Sequence, residues 1–345
     1  MRARHTPAIE ALRAGVPNRA AIRQMGTEQT GIEHAFEAAL AAAWADAGAA
    51  GIGLAGGFGT GKSHLLGYLA EVARQQGFVV SRVVVSKETP LSHPGHVLAA
   101  ALRDATLPDR PDDPVAACVA ILRTRPEALD ALEVAVNTPG GGFPPIFAAG
   151  VFLLRRAATA PEMLRRIARL WSGAKVSMPA IRQALTAAGA GRMFPLKAVA
   201  AEFTGHLARF VPLLFRAADY AGWCILLDEV ELIGRYTPLQ RALAYAGLSA
   251  LLGLEGARRL PGVVTAYAIT DDFATAVINA RLDPLPLAER ASSRTIRQYI
   301  KGWITQWDLR WLDGSDVRLV SGSIASNYTE DASLAEPLAP DGEET

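Results

Sequence analysis

The stretch Gly56-Gly57-Phe58-Gly59-Thr60-Gly61-Lys62-Ser63 constrains this chain more than any other. It reads G-x-x-x-x-G-K-S, a pattern that belongs between the end of a strand and the start of a helix. The flanks agree. Gly51 to Ala55 reads as a short buried strand, and from His64 to Gln76 the residues Leu65, Leu66, Leu69 and Val72 recur at helical spacing. Glycines let the backbone turn with its N–H groups inward, where they cradle phosphate oxygens. A helix N-terminus adds partial positive charge at the same place. Gly56, Gly57, Phe58, Gly59, Thr60, Gly61, Lys62, Ser63 and His64 are therefore the candidate phosphate-binding residues. Lys62 is expected to reach the β- and γ-phosphates of a nucleotide, and the Ser63 hydroxyl to ligate Mg²⁺. The alternative, a glycine-rich turn that matches by chance, has strand, loop and helix against it.

A second half of such a site lies far downstream. Trp223-Cys224-Ile225-Leu226-Leu227-Asp228-Glu229 is an apolar run that ends in two acids. A strand buried on both faces reads as a continuous apolar run, and its C-terminal end is where open α/β sheets place ligands. Asp228 is the candidate holder of Mg²⁺, with Ser63, and Glu229 the candidate for polarising an attacking water. A strand followed by an ordinary acidic turn is the plainer reading.

Composition bounds the rest. The chain has 345 residues, half of them hydrophobic, and a formal net charge of +1. It is long enough for a large core, as one elaborated domain or two, and no global field draws it to nucleic acid or membrane. Two cysteines, Cys118 and Cys224, give neither a disulfide framework nor a metal cluster. The N-terminus lacks an apolar signal core, and the longest apolar stretch, Ile146 to Leu154, is too short for a bilayer. The expectation is a soluble cytoplasmic protein without membrane partners.

The expected organisation is an N-terminal helical lead-in over 1–50 and a first half of an α/β core over 51–89. A helical insertion follows over 90–220, then the second half of the core over 221–283, a C-terminal helical segment over 284–324 and an acidic, disordered tail over 325–345. Parallel strands are expected at 51–55, 78–85, 223–228 and 263–270. In the lead-in, Ala35, Phe36, Leu40 and Trp44 set a helix from about Ile32 to Asp46. Pro90, Pro94 and Gly95 read as a loop carrying His93 and His96, a pair without a third ligand and so read as exposed rather than metal-binding. The insertion reads as helices at 96–106, 113–123, 127–136, 146–158, 161–172, 178–189 and 196–219.

Charge is uneven inside the insertion. Between Pro145 and Lys197 stand nine cations and one acid, Glu162. One reading is a phosphate-backbone surface that contacts DNA through residues 145–197; the other is a set of amphipathic helices with solvated basic faces. Trp303, Trp307 and Trp311 lie four residues apart, which favours core or a docking face over a base-stacking platform.

Together the loop GGFGTGKS, the strand CILLDE, the polar strand end ITDD and the lead-in helix resemble the AAA+/STAND group of P-loop ATPases, near its origin-recognition-complex-like branch. The opening Ala8-Ile9-Glu10-Ala11-Leu12-Arg13-Ala14-Gly15-Val16-Pro17-Asn18, with the long insertion, is similar to the ATP-binding proteins of BREX phage-defence clusters. The resemblance implies a three-layer P-loop core of AAA+ type, Mg²⁺-ATP as ligand, cytoplasmic defence work, and partners such as a helicase or methyltransferase. It also implies a sensor at Thr270; the plainer reading is that Thr270 or Asp271 caps the helix that begins near Phe273. Homo-oligomer formation is one implication, with an arginine from Arg281, Arg290, Arg294 or Arg297 reaching a neighbour's nucleotide; Arg290 and Arg294 stand one helical turn apart. Too few residues follow Asp283 for a full lid plus winged helix, which counts against an origin-recognition-like loader. Three functions stay open: an ATP-hydrolysing switch or motor subunit acting on DNA with partners, an ATP-holding scaffold without turnover, and that loader.

Overall fold

In the computed structural model the structure is described for residues 29–46, 51–57, 61–110, 113–138, 142–156, 158–196, 203–252, 260–273 and, as backbone, 318–321. Five strands form one sheet: β1 (Ile52–Ala55), β2 (Val79–Val84), β3 (Trp223–Asp228), β4 (Val263–Ile269) and β5 (Arg318–Ser321). Their order is β2-β3-β4-β1-β5, and every pairing is parallel. Four of these strands lie where the apolar runs predict them. β5 departs from the sequence reading, which placed those residues in a helical C-terminal segment. It runs beside β1, with Ile52 opposite Arg318.

The helices among the described residues are α1 (Thr30–Trp44), α2 (Lys62–Gln75), α3 (Pro94–Asp104), α4 (Pro114–Leu122), α5 (Pro126–Asn137), α6 (Pro145–Arg155), α7 (Pro161–Trp171), α8 (Met178–Ala187), α9 (Phe203–Ala217) and α10 (Pro238–Leu251). The helical reading of the insertion holds, with shifted ends. Prolines are the reason. Pro94, Pro114, Pro126, Pro145, Pro161 and Pro238 sit in the first turn of their helices, where a missing N–H costs nothing and a fixed φ helps. Pro94 and Gly95, expected in a loop, therefore open α3 instead.

Strand alternation splits the core in two. Trp223, Ile225 and Leu227 face the helices of the insertion, with Val79, Val83 and Tyr267. Cys224 and Leu226 face the other way, with Ile52, Leu54, Val80, Ala266 and Ala268, against α1 and α2. Both faces of the sheet are thus buried, which is why the strands read as unbroken apolar runs. Burial pushes the Cys224 thiol up, and pushes that of Cys118 up to about 12, so both behave as small hydrophobes. One polar network crosses the insertion face: Trp223 Nε1 donates to Ser81 Oγ at 2.9 Å, and Ser81 Oγ donates to the Ala101 carbonyl at 2.6 Å. It ties the middle of the sheet to α3 with no buried partner left unmade.

α1 corrects one expectation. Its buried stripe is Ile32, Phe36, Ala39, Leu40 and Ala43, whereas Trp44 is 60% exposed. Four-residue steps drift by about 40° each around a helix, so Trp44 has left the face that Ile32 began. No helix among the described residues is long and apolar enough to cross a membrane.

Candidate functional site

The site grows from the C-terminal ends of β1, β3 and β4. Because β4 lies between β1 and β3, the residue that follows β4 falls between those that follow the other two. Ala55 pairs with Ile269, and the Gly56 N–H donates to the Ile269 carbonyl at 3.2 Å. Gly56, Thr270 and Asp228 therefore occupy one edge of the sheet, brought there from positions spread over more than 200 residues of sequence.

From β1 the chain runs through Gly56 and Gly57 to α2. Phe58, Gly59 and Thr60 lie outside the described residues. Gly61 stands at the helix N-cap with φ of 90°, and a Cβ there would meet nothing within 4 Å, so glycine is required by backbone conformation and not by crowding. Lys62 is the first residue of α2. Its ammonium donates to the Gly56 carbonyl at 2.7 Å and to the Gly57 carbonyl at 2.9 Å. The lysine is thus folded back over the loop, and its charge sits inside the turn and not in open solvent. Ser63 and His64, next along the first turn of α2, are half-buried.

Asp228 ends β3 and is only 8% exposed. Its Oδ1 accepts the Glu229 N–H at 3.1 Å. Glu229 then breaks from the strand into the left-handed region, at φ 58° and ψ 35°. That conformation is unfavourable for a residue with a Cβ, and it swings the Glu229 side chain out to an exposed position while Asp228 stays in. One acid is held at the strand end and the other projects from it.

Two further side chains belong here that the sequence reading missed. Arg82, on β2, donates through Nη2 to the Ser63 carbonyl at 3.3 Å and stands 3.9 Å from Asp228 Oδ2. It links the loop helix to the acid-bearing strand. The signal was present: Arg82 is the one charged residue in the run Val79 to Val85. Glu231, in the 3₁₀ turn Val230–Arg235, has a buried Oε2 without a hydrogen-bond partner among the described residues. Burial holds its carboxyl above the ordinary range; Asp228 and Glu229 add to this, and the Lys62 charge opposes it. Spacing alone does not single out this third acid, two residues past Glu229, because its burial comes from the turn and not from the strand pattern.

Thr270 follows β4. Its Oγ1 accepts the Phe273 N–H at 3.4 Å, so the capping role is present in the structure. Arg281, Arg290, Arg294, Arg297 and the three tryptophans Trp303, Trp307 and Trp311 lie outside the described residues. His93 and His96 are exposed and stack on each other, ring centroids 5.4 Å apart.

The donor set suits a nucleotide polyphosphate and a divalent cation. An ammonium and the N-terminus of α2 offer positive charge, and Ser63 with Asp228 offers the hydroxyl and carboxylate oxygens that Mg²⁺ prefers. No curated protein and no solved structure matches the chain. Residues 1–114, which hold α1, β1, the glycine loop, α2, β2 and α3, match the family model described as BREX system ATP-binding protein BrxC/D, and over that stretch the chain is similar to this family.

Proposed function

We propose that this chain binds Mg²⁺-ATP at the edge formed by β1, β3 and β4 and hydrolyses it as a nucleotide-driven switch or motor subunit of a BREX-like phage-defence complex. The single observation that carries the reading is the convergence of Lys62, Asp228, Glu229 and Thr270 on one sheet edge, with β4 between the other two strands. The architecture, a parallel sheet covered by helices on both faces, fits the three-layer P-loop core expected from the sequence.

In this reading Lys62 leaves the Gly56 and Gly57 carbonyls for the β- and γ-phosphates, while the backbone N–H groups of the loop and of α2 hold the remaining oxygens. Ser63 and Asp228 hold Mg²⁺, which supplies charge neutralisation for phosphoryl transfer when bound. Glu229 projects from the strand end to orient water. Thr270 keeps its cap and presents its hydroxyl between the two strands. Arg290 is the proposed arginine for a neighbouring copy's nucleotide, by resemblance alone. Action on DNA through the basic insertion, and work with a helicase or methyltransferase, complete the proposal at the level of the system.

The test is ATP turnover by the purified protein, with and without duplex DNA, beside Lys62→Ala and Glu229→Gln. Turnover lost in Lys62→Ala, with nucleotide retained but not hydrolysed in Glu229→Gln, is expected. Tight ATP binding without turnover in either condition would replace the motor with a nucleotide-held scaffold. Failure of the wild-type protein to bind Mg²⁺-ATP would sink both.

A further inference from the structure

The basic stretch of the insertion is not a uniform face. Arg155 is spent on α5, with Nη1 2.6 Å from Asp130 and Nη2 2.7 Å from Glu133. Arg156 lies over the Phe152 ring, and Arg182 donates to the Leu196 carbonyl. Four of the others, Arg165, Arg166, Arg169 and Lys175, are concentrated in one place. A concavity of about 330 Å³ opens between α7 and the start of α8, lined by Glu162, Arg165, Arg166, Arg169, Lys175 and Ser177.

Three features of this concavity suit it to an anion. First, four cations share it with one carboxylate. Glu162 is held by Arg165, with Oε2 2.7 Å from Nη2, while Arg166 Nη2 stands 3.9 Å from Glu162 Oε1, too far for a hydrogen bond. Arg169 and Lys175 make no ion pair among the described residues. Second, Arg166 is drawn in, its side chain only 25% exposed, and its Nε is buried without an acceptor. A partly desolvated guanidinium is unfavourable unless an anion compensates its charge; the buried Nε is closed to a ligand, so the accessible end of the guanidinium is the part that a phosphoryl group would meet. Third, Ser177, the N-cap of α8, lines the concavity and makes no side-chain cap hydrogen bond, so its hydroxyl is not spent on the helix. The field shows in the one acid present: the Arg165 hydrogen bond and charge, with Arg166 and Arg169 behind them, hold the Glu162 carboxyl below its usual range.

We propose that the concavity between α7 and α8 is a phosphate-binding site, in which Arg166, Arg169, Lys175 and Ser177 take a phosphoryl group and Glu162 is the anion that it displaces from Arg165. The site is separate from the nucleotide edge, being built from α7 and the connection that leads into α8. The phosphate has two sources of the same chemistry, the backbone of a nucleic acid or a free phosphorylated small molecule. The first source rests on the DNA-acting part of the proposed function; the site itself does not.

The experiment uses the full chain and two probes, a fluorescently labelled DNA duplex titrated over a range of salt and inorganic pyrophosphate followed by calorimetry. Arg166→Met, which keeps the apolar stem, should weaken binding about tenfold, the scale of a charge-assisted hydrogen bond. For DNA it should also flatten the salt dependence by about one unit of slope. Glu162→Gln should tighten binding several-fold, a gain that damage to folding cannot imitate. Effects on DNA identify a backbone site; effects confined to pyrophosphate identify a small-ligand site and sink only the DNA reading. In a Lys62→Ala background, which removes pyrophosphate bound at the nucleotide edge, the Arg166→Met and Glu162→Gln effects should persist, which separates this site from the ATP reading. Folded Arg166→Met and Glu162→Gln proteins that bind both probes as the wild type does would overturn the proposal.

Discussion

At the scale of single residues, strain and burial mark the site. Glu229 adopts a left-handed backbone that glycine would occupy freely. Glu229→Gly should therefore raise stability by about 1 kcal/mol while removing turnover, read from denaturant midpoints beside ATPase rates. A loss of stability would mean that the side chain has a structural contact that outweighs the strain. Glu231 carries a pH dependence of definite sign. Its folded-state pKa is raised by burial, so the folded protein keeps this proton to higher pH than the unfolded chain does. The resulting penalty is absent below the unfolded value and grows as pH rises through the folded one. Glu231→Gln should raise the melting temperature at about pH 8 and leave it unchanged at about pH 4. An equal gain at both would show that packing, not charge, is responsible.

At the scale of elements, close approach does what propensity cannot. α6 lies against α7 at Gly150, where a Cβ would stand 2.7 Å from the buried Trp171 ring. Gly150→Ala gains helix propensity worth about 1 kcal/mol, but overpacking against a rigid ring costs about 1–3 kcal/mol. A net loss is expected in thermal denaturation, and a net gain would show that α6 can slide. The same scale explains what was legible beforehand. The glycine loop and the Asp228-Glu229 strand end are local patterns, readable within eight residues. Helix existence was readable from breakers, yet the ends shifted wherever a proline opened a helix that it was expected to precede, as Pro94 does for α3. β5 was invisible because four residues cannot display a period and, unlike the equally short β1, it has no glycine loop after it to mark the strand end. Arg82 and Glu231 were missed because their role depends on what stands across the sheet and the turn, which sequence spacing does not carry.

At the scale of the whole molecule, the nucleotide proposal predicts a coupling between ligand and fold. Mg²⁺-ATP at about 100 times its Kd should add about 2.7 kcal/mol of stability, seen as a thermal shift that Lys62→Ala abolishes; an equal shift in that variant would place the nucleotide elsewhere. The sheet order carries a consequence for how the chain is made. β1 has β4 and β5 as its two neighbours, and both come from more than 200 residues downstream. β2, the next strand to leave the ribosome, pairs with β3 and not with β1. The stretch that matches the BREX family contains β1 and β2 without a ladder between them. During synthesis at about 5–20 residues per second, β1 waits on the order of ten seconds or more for its first partner. Throughout that interval both edges of β1 stay open, so the glycine loop is not anchored at Gly56 until β4 has been made.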